Sequence, residues 1–367
     1  MEASGAEAAV QRLEERLKAT HGGVAEQTPF HKPSHIPTGV PKTCYDQVKP
    51  SVYLGPRGVH RTLVNRDGLH LQSYFWPAAE AKAVMVFCHG HGAHIMFEIL
   101  KQTNLGEPMA YEGSWAQQWN ARGISLCGLD LQGCGRSEGK RGLRFFCERF
   151  EDYVEDVLQL AREAQSPQLG IPGFGPGLPV FIGGISLGGC IAFNAMLADR
   201  AAGSGLFRGA ALLAPMLSLE TVSRKGLNPY IRPIATLLSM LVPTAAIVAT
   251  DKNTLYPAIQ AQWDADPLAC HINTRVRNAN EYLRICDQAM KRLHEVDFPF
   301  IVFHSENDTM VDVDGSKELY LRAKSEDKTL RLVNHMWHVL VREEGNERLN
   351  KQIADWVLER AAKPAAA

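Results

Sequence analysis

The chain has 367 residues, 45% of them hydrophobic and 22% charged, a globular balance that excludes a disordered or collagen-like polymer. Its 39 Lys and Arg against 40 Asp and Glu leave a net charge of −1, so there is no cationic excess to hold nucleic acid. A chain of this length buries about 75% of its unfolded surface, enough for one large core with an inserted piece or for two or three smaller domains.

No apolar signal core follows Met1, and residues 5–19 mix both signs of charge like a short solvated helix. Residues 1–50 end in a Pro-, Gly-, Thr- and His-rich stretch. Its His21, His31 and His35 show no ligand spacing, so the whole reads as an irregular extension wrapping the core. From residue 51 the pattern changes. Arg66-Asp67-Gly68 sits between alternating segments over 58–76, a hairpin signal. Continuous apolar runs suited to strands buried on both faces follow at 81–90, 124–133, 178–184, 207–217 and 298–304, with another strand at 328–333. Between them lie helical stretches at 114–123, 150–164 and 190–202, and an amphipathic helix closes the body at 346–362. Repeated β-α-β order with apolar strands predicts an α/β fold, a mainly parallel sheet with helices on both faces. The core is then 51–215 and 296–367. Residues 216–295, helical with no obvious strand, read as an inserted cap. Within the cap, 233–250 carry no charge but are short for a membrane span and contain Pro243. They suit a buried or ligand-facing helix, or one that also touches a bilayer surface. The eight cysteines show no CxxC spacing and several interrupt apolar runs, which predicts reduced thiols in a reducing compartment such as the cytoplasm.

Two GxSxG matches occur, and about one chain in eight of this length shows the pattern by chance, so context decides. Gly135-Arg136-Ser137-Glu138-Gly139 is followed by a charged, glycine-broken stretch, and Ser137 reads as a turn residue. Gly184-Ile185-Ser186-Leu187-Gly188 lies between a strand and a helix, as a nucleophile elbow requires. A serine hydroxyl needs a base held by a third group, in the chain order Ser, acid, His. Asp308, after the strand ending at His304, is the favoured acid, with Glu306 or Asp312 as fallback. His338 is favoured over His335 as base because the apolar Val339-Leu340 anchors its loop, whereas His304 reads as structural. His89-Gly90-His91-Gly92 ends an earlier strand, where an HGxG turn supplies oxyanion N–H donors. The predicted hole uses the backbone N–H groups of His91 and Leu187.

These residues resemble the α/β-hydrolase superfamily, and within it the monoacylglycerol lipase-like group of the serine aminopeptidase type, over roughly 55–362. The resemblance rests on His89–Gly92, on the run from Asp130 to Gly139, and on Gly184–Gly189. Asp266-Pro267-Leu268 and Met336-Trp337-His338 add to it. It implies a helical cap over an apolar acyl tunnel, and it carries over Ser186, Asp308 and His338 as the triad. A monoacylglycerol lipase or lysophospholipase-like enzyme is the expected activity, with a lipid ester as substrate partner. A carboxylesterase for small aromatic or other non-lipid esters is the alternative, and a non-catalytic binding protein on the same scaffold is the rival of another class. The chemistry calls for no metal or organic cofactor. Peripheral membrane contact through the cap stays open, and no sequence feature sets an oligomeric state.

Overall fold

The computed structural model describes residues 43–220, 235–249 and 252–364. Most of the predicted extension, including residues 5–19 and its three histidines, lies outside the described residues. The sequence pattern becomes an eight-stranded sheet. Its strands are β1 (Val59–Val64), β2 (His70–Trp76), β3 (Ala83–Cys88), β4 (Ile124–Leu129), β5 (Val180–Ile185), β6 (Ala210–Leu213), β9 (Phe300–Ser305) and β10 (Lys328–Val333), with β7 (Ala246–Val248) and β8 (Thr274–Arg275) forming a separate pair. The order across the sheet is β1-β2-β4-β3-β5-β6-β9-β10. β2 runs antiparallel to both neighbours, and the remaining pairs are parallel. The hairpin expected at Arg66-Asp67-Gly68 joins β1 to β2. Asn65 accepts the N–H groups of Asp67 and Leu69 there, and Gly68 takes a φ of 77°.

Strand residues alternate between the two faces. On β3, Val84, Val86 and Cys88 enter one apolar cluster while Ala83, Met85 and Phe87 enter the other. Both faces are therefore buried, which is why these strands read as unbroken apolar runs. Among the described residues the helices of five residues or more are α1 (Ile95–Ile99), α2 (Trp115–Ala121), α3 (Phe150–Gln165), α4 (Leu187–Ala202), α5 (Ala235–Leu241), α6 (Pro257–Ala265), α7 (Val276–Arg292), α8 (Val313–Arg322) and α9 (Asn346–Ala361). The α3 and α4 side chains fill one cluster, whereas Trp115 and Trp119 of α2 and Ile353 and Val357 of α9 fill the other. All eight cysteines are free thiols.

The inserted segment departs from expectation in two ways. It contains the β7–β8 pair, where the sequence offers no obvious strand. The uncharged run is also not one buried helix: α5 stops at Leu241, one residue short of the position that Pro243 disfavours for helix, and the chain then turns into β7. Leu237, Met240, Leu241 and Ile247 are exposed there. Among the described residues no helix is long and apolar enough to cross a membrane. By contrast α7 joins the core. Tyr282, Ile285 and Ala289 lie in the cluster under α3, and Glu281 accepts the Phe150 N–H at 3.0 Å.

α4 crosses β3 at a distance that admits no side chain. A Cβ on Gly188 would stand 2.2 Å from the Cys88 carbonyl oxygen, and one on Gly189 would stand 2.8 Å from the Pro215 Cα. Both obstacles are backbone, so relief requires moving a strand. Gly188→Ala should destabilise the protein by about 3 kcal/mol, read as a lowered thermal midpoint. An unchanged midpoint would show that the crossing has slack.

Candidate active site

Ser186 occupies the turn between β5 and α4 with φ 55° and ψ −119°, a conformation that costs a residue with a Cβ on the order of 1–3 kcal/mol. The surroundings hold it there. Its N–H donates to the Leu213 carbonyl at 2.9 Å, and its own carbonyl accepts from Cys190 and Met216. Gly184 faces the Gly188 carbonyl so closely that a Cβ would lie 2.4 Å from its oxygen, which explains the glycines flanking the serine. The Leu187 N–H opens α4 and so has no acceptor within the helix.

β9 leads to the candidate acid and β10 to the candidate base, because parallel strands end at the same edge of the sheet. In the loop after β9, the Asp308 side chain is fully buried. Its Oδ1 accepts the N–H groups of Met310 and Val311, and its Oδ2 accepts from His338 Nδ1 at 2.7 Å. Burial alone would raise the Asp308 pKa. The His338 charge and the His304 and His338 side chains outweigh it and hold the carboxyl well below the usual carboxylate range. His338 is pushed the other way: burial would lower its pKa, but Asp308, with Glu343 and Glu98 behind it, holds the imidazole above its ordinary value. With Nδ1–H given to Asp308, the neutral ring leaves Nε2 as the proton acceptor.

His304 is structural as expected, bonded through Nδ1 to Ser316 at 2.7 Å, yet its Nε2 also lies 3.2 Å from Asp308. Glu343 was missed by the sequence reading. Its buried carboxylate accepts the N–H groups of Trp337, His338 and Val339 at 2.5, 3.0 and 2.6 Å and so fixes the loop that carries His338. A glutamate five residues past a loop histidine is its only sequence trace. Of the fallbacks, Glu306 and His335 are exposed, and Asp312 accepts from the Ser218 hydroxyl. Ser137 is a satisfied turn residue, donating to the Asp130 carbonyl and accepting the Gln72 N–H.

The turn after β3 is gripped through its side chains. Leu131 N–H donates to His89 Nε2 at 2.9 Å, so the ring proton sits on Nδ1 and goes to the Gly90 carbonyl at 2.8 Å. That carbonyl shares a peptide plane with the His91 N–H, so the imidazole sets the direction of that donor. The His91 ring turns away, bonded to Thr274 Oγ1 at 2.8 Å and edge-on to Phe145 and Tyr282. Burial there, aided by the His338 charge, depresses its pKa to about 3.

These groups meet at a cavity of about 530 Å³. Ser186, Ile185, Phe97 and His338 line it from the core, and Ile259, Trp263, Ile272, Asn253 and Gln260 line it from the inserted segment. Ser186 and His338 thus share the cavity, and among the described residues no hydrogen bond joins hydroxyl to imidazole. Such bonds are often long without substrate and tighten on binding. Among the described residues no group of His, Cys, Asp and Glu is arranged to hold a metal ion.

The model of the family described as serine aminopeptidase, S33 matches residues 79–345. A monoglyceride lipase of Homo sapiens is 28% identical over 312 residues, covering 82% of this chain and 90% of that protein. A monoacylglycerol lipase of Mycolicibacterium smegmatis is 24% identical, covering 77% and 90%. The crystal structure of a soluble variant of monoglyceride lipase from Saccharomyces cerevisiae, in complex with a substrate analogue, superposes with a TM-score of 0.64 at 19% identity over 83% of this chain and 95% of that one. The likeness establishes the α/β-hydrolase fold.

The pKa ordering gives a direct test. The Asp308 carboxylate stabilises the imidazolium, so in an NMR titration His338 should titrate above 6.5 in the wild type and at lower pH in Asp308→Asn. Equal midpoints would mean that the pair is not coupled.

Proposed function

The chain belongs to the serine aminopeptidase, S33 family, and on that premise we propose that it is a serine carboxylic-ester hydrolase cleaving a monoacylglycerol or lysophospholipid-like monoester. The observation that supports this most is the His338–Asp308 bond of 2.7 Å beside a cavity that Ser186 also lines. In this reading His338 Nε2 takes the Ser186 proton as the hydroxyl oxygen attacks the ester carbonyl, and Asp308 stabilises the imidazolium that forms. The carbonyl π electrons move onto the oxygen, which rests on the N–H groups of His91 and Leu187. Collapse of the tetrahedral intermediate expels the alcohol, protonated by His338, and leaves an acyl-enzyme on Ser186. Water, deprotonated by the same imidazole, then releases the acid and restores the serine.

The apolar lining from Phe97, Ile259, Trp263 and Met310 suits an acyl chain, whose burial is worth about 0.8 kcal/mol per methylene. The proposed cap is the 216–295 segment, with 51–215 and 296–367 as core and 1–50 as the extension. Its exposed Leu237, Met240 and Leu241 support peripheral contact with a lipid surface, and the free thiols fit a reducing compartment such as the cytoplasm.

Ser186→Ala should lower kcat on the order of 10⁶-fold and abolish labelling by a fluorophosphonate. Retention of more than a trace of ester hydrolysis would overturn the assignment of Ser186. For the wild type, kcat/KM across a panel of monoacylglycerols, lysolipids and short aryl esters should rise with acyl length. A profile that favours short aryl esters would select the non-lipid carboxylesterase instead. The acid limb of the pH profile should fall above 6.5, because His338 must be neutral to act as base. Replacing Met240 and Leu241 together by Asp should reduce sedimentation with phosphatidylcholine vesicles more than tenfold, since each exposed side chain is worth about 1.5–3 kcal/mol on transfer. Equal sedimentation would remove the lipid-contact reading.

A further inference from the structure

Glu98 sits in α1, eight residues past Gly90, and is 5% exposed. It lines the same cavity as Ser186 and His338. Its Oε1 accepts the Gly90 N–H at 2.9 Å, and its Oε2 is buried with no hydrogen-bond partner. A carboxyl held by one hydrogen bond is an expensive thing to bury. An apolar side chain of similar volume would serve the packing alone, so the single bond to Gly90 marks what the carboxyl does.

Gly90 is enclosed. A Cβ placed on it would stand 3.1 Å from Glu98 Oε1 and 3.7 Å from both the Ile185 carbonyl oxygen and the Ser186 Cβ. Gly90 thus packs against the elbow while its N–H is held by Glu98. The Gly90 carbonyl is held separately by His89, so both polar groups of Gly90 are fixed, one by each side chain. The next N–H along the chain is that of His91. We propose that Glu98 is a positioning residue of the oxyanion turn: its grip on the Gly90 N–H fixes the peptide plane before Gly90 as His89 fixes the plane after it, and the two together set where the His91 N–H points relative to the Ser186 hydroxyl. This rests on the reading of the chain as a serine ester hydrolase. Burial raises the Glu98 pKa, opposed by the Gly90 bond and by the charges of Arg342, His94 and His338. The Gly90 contact needs only an acceptor oxygen, which both the charged and the neutral carboxyl provide.

The test separates aim from architecture. On p-nitrophenyl butyrate, Glu98→Leu should lower kcat about 10- to 100-fold, the scale of a misplaced reacting group, with KM within twofold. Affinity for an alkyl boronic acid, whose tetrahedral adduct on serine places an oxygen in the hole, should fall by the same factor. Affinity for a monoalkylglycerol ether, which has no carbonyl to be held, should stay within twofold. Glu98→Gln, which keeps an acceptor oxygen, should recover most of kcat. The proposal is overturned if kcat is unchanged in Glu98→Leu, or if boronate and ether affinities fall together. Should Glu98→Leu not fold, Glu98→Asp carries the same comparison, since a carboxyl one methylene shorter cannot reach Gly90. A wild-type enzyme insensitive to both boronate and fluorophosphonate would instead remove the hydrolase reading itself, whatever Glu98 does.

Discussion

At the start of α4 the backbone of one helix, two strands and a following loop converge with no space for a side chain. Glycines at 184, 188 and 189 permit that approach, and Ser186 accepts a left-handed conformation so the chain can reverse between β5 and the helix. Everything proposed for the site depends on this crossing. It projects one hydroxyl from the strand end, places the first N–H of α4 beside it, and brings β3 close enough for its own turn to face the same point. A strand displaced by the volume of a methyl group would separate all three.

Near that point two buried carboxyls are satisfied by local donors. Asp308 receives two backbone N–H groups and an imidazole; Glu343 receives three backbone N–H groups of the base loop. Buried carboxylates with this many donors are anchors for loops that carry no regular structure of their own. The inserted segment ties into the same framework. Thr274 meets His91, Cys270 N–H donates to the Gly92 carbonyl at 2.8 Å, and the Tyr256 hydroxyl donates to the His335 carbonyl at 2.5 Å. Cavity wall and candidate site are thus held by one set of contacts, so a change in the inserted segment is felt at both the turn after β3 and the His338 loop.

The sheet was legible because its signals are local: unbroken apolar runs for strands buried on both faces, and helical spacing between them. The contrast between Ser137 and Ser186 was legible for the same reason, since strand, turn and helix are written in adjacent residues. The inserted segment was harder. An uncharged run with Pro243 carries no periodic signal, and whether it forms a buried helix or an exposed helix and strand depends on what packs against it. No strand was expected in 216–295 because β7 and β8, at three and two residues, fall below the length at which alternation can be seen.

By itself the sequence determined the α/β order, the elbow and a small set of candidates for acid, base and oxyanion turn, because each is encoded by residue type within a few positions. Tertiary structure alone decided that Glu343 fixes the loop of His338, that His304 touches Asp308 from behind, that His89 holds its proton on Nδ1, and that Glu98 grips Gly90. A carboxylate or imidazole has no sequence signature for its partner. What it does is set by which donors the folded chain brings within about 3 Å, and those donors come from segments that are distant until the sheet has formed.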